Sequence, residues 1–184
     1  MSAQPNPAIS LVIDKAFLLK ALQESGEVFL NSFAGVSEEQ SHVKPAPDCW
    51  SVLDTVEHLT TAETIQLKLI STLRTPRPAD APNREHAFLQ IIPNRERKMG
   101  SPEGAKPIGR FATLAEAAER FKTTRAGVIR FLEDYHEDLR ASEVKHPHPA
   151  AGMVSICEML VAMAMHARRH AAQIEEIRTT LKLR

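Results

Sequence analysis

Apolar residues recur every three or four positions in four long segments of the chain, and each segment opens on a residue able to cap a helix. In the first, Asp14 precedes Leu18, Leu22, Ser25, Phe29 and Phe33, a spacing that predicts a helix over about 14–33. The second opens at Ser51, with Asp54 in capping-box register, and runs through Val52, Val56, Leu59 and Ile70 to about Leu73, before Thr75-Pro76. The third begins with Thr113-Leu114-Ala115-Glu116 and carries Leu114, Ala117, Phe121, Val128, Leu132 and Tyr135. The fourth begins with Ser155-Ile156-Cys157-Glu158 and keeps Ile156, Leu160, Met163, Ala167, His170, Ile174, Ile177 and Leu181 on one stripe.

Strand signals are weak, because alternating β-branched runs are short and no Asn-Gly or Asp-Gly turn occurs. Four helices, each with a single apolar face, are buried most economically as an all-α four-helix bundle. At 184 residues the chain is expected to be one domain, 1–184, with its core over about 14–181. The connection from Arg74 to Ala112 is long and holds six of the twelve prolines, with Gly100, Gly104 and Gly109. Such a length implies a crossover or a segment covering a site, and Glu85 to Ile92 could form a short helix within it.

Charge then removes whole classes of partner. Lys plus Arg and Asp plus Glu both number 23, so the net charge is zero with neutral histidines. That balance argues against nucleic acid and against a basic membrane-surface face. Met1 to Pro7 is polar and shows no signal peptide, and no apolar run approaches the roughly 18 residues of a membrane span. A cytoplasmic protein is expected, in keeping with only two cysteines, Cys49 and Cys157. Cys157 lies nine residues before His166, near the opposite side of the same helix.

The candidate chemistry lies among eight histidines. His166 and His170 stand at i and i+4, so both imidazoles share a helix face and can converge on one ion. His58 is a third candidate on the second helix, but spacing does not set the register that would bring it to the pair. His42, His86, His136, His146 and His148 fall in loops or at helix ends, where exposed histidine needs no special role. His146-Pro147-His148-Pro149 reads as an extended turn before the fourth helix, or as part of a site mouth.

Other metal and catalytic patterns fail on placement. Glu39-x-x-His42, Glu133-x-x-His136 and Glu143-x-x-His146 match the di-iron carboxylate string, but none lies inside a helix where it could project into a bundle core. There is no His-Glu-x-x-His, no Gly-rich phosphate loop and no Gly-x-Ser-x-Gly elbow.

Two motifs in register resemble one family. Lys44-Pro45-Ala46-Pro47-Asp48-Cys49-Trp50-Ser51-Val52 followed by Val56-Glu57-His58-Leu59 is similar to the second-helix entry of the DinB-like bundle proteins. His166-Ala167-Arg168-Arg169-His170-Ala171-Ala172-Gln173-Ile174 resembles the family's His-x-x-x-His-x-x-Gln-Ile ending. Lys106-Pro107-Ile108-Gly109-Arg110-Phe111 resembles the segment before the third helix in one branch. The resemblance implies an up-down-down-up bundle with the long crossover between the second and third helices. It also implies a divalent ion, nickel or zinc, on His58, His166 and His170 with water in the remaining positions, and a homodimer. Characterised members include transferases for low-molecular-weight thiols, so thiol S-transfer in detoxification is the expected activity. A metal-dependent hydrolase and a non-enzymatic, stress-related metal-binding dimer are the alternatives.

Three imidazoles would leave an ion its full charge and an exchangeable position, as catalytic sites require. A fourth protein ligand would instead mark a structural site. Gln173, three residues after His170, and Asp54, four before His58, could each accept a ligand's ring N–H. Asp54 has an equal claim as a helix cap. Trp50 is expected to close the bundle end, Arg110 and Arg125 could meet an anionic thiol cofactor, and Cys49, which departs from the family pattern, is assigned no role.

Overall fold

Ser51 and Ser155 each accept from the backbone N–H three residues on, and Asp54 and Glu158 return a carboxylate to the serine's own N–H. Asp14 and Thr113 cap by their side chains alone, and Glu116 bonds the Ala112 N–H in place of its cap residue's. In the computed structural model, which describes residues 11–183, these caps open the four long helices. In chain order the helices are α1 (Lys15–Ser32), the single turn α2 (Glu38–Ser41), α3 (Val52–Thr72), α4 (Glu85–Ile91), α5 (Leu114–Asp134) and α6 (Ile156–Leu181). Met1–Pro7 lies outside the described residues.

Contacts between helices establish the topology. Arg168 meets Glu24 and Arg178 meets Ser32, so α1 and α6 run parallel. Thr64 meets Thr124 and Gly127 packs on Leu67, so α3 and α5 are parallel too. Lys15 bonds the Glu133 carbonyl whereas Arg125 bonds that of Leu22, so α1 and α5 are antiparallel. The four long helices therefore form an up-down-down-up bundle, and the parallel α3–α5 pair requires the long crossover.

The predicted stripes meet in the core as two apolar clusters. One contains Leu18, Leu22, Ile70, Leu132 and Leu160, and the other Phe29, Leu59, Phe121 and Ile174. Between them along the bundle lies a polar layer, in which Arg125 bonds Glu63, Ser25 and the Leu22 carbonyl. All of these side chains are buried.

Where strand signals are weak, the structure has a small antiparallel sheet: β1 (Thr75–Pro76), β2 (Ser142–Lys145) and β3 (Met153–Ser155), in the order β1-β2-β3. Its strands are two to four residues long, too short to establish an alternation, and Ser155 serves as both strand end and helix cap. Gly152, at φ 62°, turns the chain into β3 with a conformation that a side chain would strain. With α4 this sheet wraps the start of α6, where every residue from Ile156 to Met165 is buried. Among the described residues no helix is long and apolar enough to cross a membrane.

The crossover is pinned to α3 by Glu57. Its buried carboxylate accepts from the N–H groups of Ile108, Gly109 and Arg110 at 2.7, 3.0 and 3.0 Å, and from Arg110 Nη1 at 2.8 Å. Glu57→Gln removes the charge and one acceptor oxygen, and is expected to cost about 2 kcal/mol in urea unfolding.

Candidate metal centre

Placing α3 against α6 brings together the three histidines whose register the sequence left open. His58 Nε2 lies 3.4 Å from His166 Nε2, which lies 2.8 Å from His170 Nε2. Their candidate ligand atoms all fall within 4.8 Å of one another. Among the described residues no other histidine, cysteine or carboxylate joins this group.

Hydrogen bonds set which ring nitrogen faces the convergence. The Ala105 carbonyl accepts from His58 Nδ1 at 2.7 Å, and Gln173 Oε1 accepts from His170 Nδ1 at 2.9 Å. A carbonyl only accepts, so each proton sits on Nδ1 and the Nε2 lone pair is turned to the common point. Burial lowers the pKa of all three rings below the usual imidazole value, and for His166 and His170 the neighbouring histidines deepen the effect. The rings are thus neutral, and His58 and His170 each turn an Nε2 lone pair toward His166. Two nitrogens about 2.1 Å from a tetrahedral ion are separated by about 3.4 Å; the His58–His166 spacing matches that span and the 2.8 Å His166–His170 spacing is shorter. The donor set fits a divalent metal.

The site lies on the wall of a cavity of about 920 Å³, roofed by the crossover. Trp50 packs its ring 4.7 Å from His58 and 6.3 Å from His170, so it faces the site and lines the cavity. Arg169, next to His170, reaches out to the carbonyls of Ile92, Asn94 and Arg97 and holds the roof down.

Other expected contacts are redistributed. Gln173 supports His170 as predicted, but Asp54 is a helix cap paired with Lys44 at 3.1 Å, and the His58 partner is a crossover carbonyl 47 residues away in sequence. Arg110 and Arg125 are not free for a ligand, since each is bonded to a buried glutamate, Glu57 and Glu63. Cys49 is exposed at the cavity, whereas Cys157 is buried in the core, where desolvation raises its thiol pKa. His146 is not a solvated loop residue; it lines the cavity with His148 and bonds Gln66. Gln66 had one legible signal, a polar residue at i+8 from His58 on the same helix.

A family model described as the DinB superfamily matches residues 21–174. The YuaE protein of Bacillus subtilis (strain 168) is 22% identical over 154 residues, covering 83% of this chain and 91% of that protein. A conserved protein from Enterococcus faecalis has a similar structure, with a TM-score of 0.63, 15% identity and coverage of 95% of this chain and all of the other. YfiT from Bacillus subtilis, described as a probable metal-dependent hydrolase with an unusual four-helix bundle topology, aligns with a TM-score of 0.54 and 21% identity over 98% of this chain and 94% of its own.

Proposed function

The chain belongs to the DinB superfamily, and from that premise we propose that it is a metal-dependent enzyme acting on a small molecule, with transfer of a low-molecular-weight thiol as its reaction. The observation that carries this reading is the convergence of three neutral imidazoles, with no fourth donor among the described residues, on the wall of a cavity large enough for a substrate. His58, His166 and His170 would hold nickel or zinc, both of which accept imidazole. A divalent ion bound there supplies Lewis acidity, bringing the pKa of a coordinated water or thiol down toward neutrality.

The protein's own groups do the rest. Ala105 and Gln173 keep two of the rings in the ligating tautomer, and Trp50 shields the ring faces from water. Ala62, Phe88, Ile92 and Ala162 give the cavity apolar walls suited to an electrophile. In the transfer, a sulfur–carbon bond forms, the carbon–leaving-group bond breaks, and the thiol proton departs with the leaving group. Hydrolysis is the second reading, favoured by the description of YfiT. A purely structural ion would call for a closed shell, which the three-donor set does not provide.

The test offers zinc- or nickel-loaded protein a panel of low-molecular-weight thiols with alkyl halides and epoxides, and separately a panel of esters and amides. Conjugates detected by mass spectrometry, and absent with His170→Ala, are the expected result. Cleavage of the esters or amides without conjugation would replace transfer by hydrolysis, and no turnover in either panel would overturn the enzymatic reading.

A further inference from the structure

Gln66 lies on α3 two helical turns beyond His58, with Ala62 between them, and all three line the cavity. The residue is 4% exposed, and its amide lies 3.2 Å from His146 Nε2. The His146 ring is itself locked, because the backbone N–H of His148 donates to its Nδ1 at 2.9 Å. A ring nitrogen that accepts carries the lone pair, so in the neutral imidazole the proton resides on Nε2. Burial keeps the ring neutral, with its pKa lowered to about 4.

His146 Nε2–H is therefore a donor, and the amide atom that faces it must be oxygen. Amide ends are assigned by the partners they meet, and nitrogen in that place would set two donors against each other. With oxygen toward His146, the Gln66 NH2 group takes the other amide position, a buried one to which no donor of the protein bonds. A buried donor left unsatisfied is costly, and an acceptor on a ligand in the cavity would relieve that cost.

We propose that Gln66, clamped by His146, is a substrate-binding residue that donates to a carbonyl oxygen of the ligand, at a distance from the three imidazoles. Eight residues of helix separate Gln66 from His58 by about 12 Å, so the substrate is elongated, with its reacting group at the rings and its carbonyl further along α3. A neutral carbonyl suits the place better than a carboxylate. Arg84, a cation on the cavity wall, is already engaged by Glu158 and by the carbonyls of Ala151 and Met153. The proposal deepens the small-molecule thiol reading above and rests on it.

The experiment titrates the zinc-loaded full chain with two thiols, glutathione, which bears amide carbonyls, and 2-mercaptoethanol, which bears none. Gln66→Leu removes both amide functions, and Gln66→Glu keeps an acceptor for His146 but has no donor when ionised. Both variants are expected to bind glutathione roughly tenfold more weakly, the size of one hydrogen bond, with 2-mercaptoethanol unchanged within about twofold. Nitrogen-15 spectra of the wild-type protein are expected to place the His146 proton on Nε2. A proton on Nδ1, equal weakening of both thiols, or unchanged glutathione binding would overturn the role of Gln66. Wild-type protein that binds neither thiol would overturn the thiol reading, and this inference with it. Wild-type protein that binds both while the variants bind equally well would overturn this inference alone.

Discussion

His170→Ala is expected to leave the protein without a bound ion, where the wild type retains about one nickel or zinc per chain by elemental analysis. Among the described residues His170 is one of three candidate donors, and the two remaining rings cannot enclose the charge. Losing even a group that supports a ligand costs about 10–100-fold in affinity, and losing the ligand itself costs more. Because an ion bound only by the folded chain stabilises it, saturation at about a thousand times the dissociation constant is worth about 4 kcal/mol. A chelator is therefore expected to lower the wild-type melting temperature by about 10 °C and to leave that of His170→Ala unmoved. Wild-type protein that contains no metal and melts at the same temperature with and without chelator would dispose of the site.

The second large effect belongs to the polar layer in the bundle. Arg125→Met leaves Glu63 fully buried with its cation gone, and is expected to cost about 3–5 kcal/mol. Burial already raises the Glu63 pKa, and Arg125 is what opposes that rise through its charge and hydrogen bonds. Without Arg125 the folded-state pKa climbs further above the unfolded value, so protonation on folding is favoured at low pH. The variant is accordingly expected to lose stability as pH rises from 5 to 8, read from urea unfolding at each pH. Glu63→Leu combined with Arg125→Met removes both charges and is expected to recover most of the loss. A single variant as stable as the wild type, or a double variant no better than the single, would show that the pair does not bear on stability.

These two sites differ in how far they could be seen in advance. His166 and His170 share a helix face by spacing alone, and Gln173 follows from the same periodicity, since an i, i+3 pair meets on any helix. Helix starts at Asp14, Ser51, Thr113 and Ser155 were legible because caps are local chemistry. Glu63 and Arg125 were not legible as a pair. They lie 62 residues apart on different helices, and a charged residue interrupting a stripe reads in one dimension as exposed. Arg110 was mistaken in the same way, because its partner Glu57 sits on a helix that the crossover reaches only after folding.

Local pattern by itself determined the four long helices, their apolar faces, the length of the crossover and two of the three histidines of the site. The resemblance of the Trp50-Ser51 and Gln173-Ile174 motifs joined His58, already a third candidate by position, to that pair. Only the tertiary structure decided that the three Nε2 atoms converge, that the Ala105 carbonyl orients His58, and that His146 meets Gln66 on the cavity wall. The reason is physical: a helix repeats every 3.6 residues and so encodes its own faces, whereas the register between helices and the path of a proline-rich crossover are settled by packing between segments far apart in the chain.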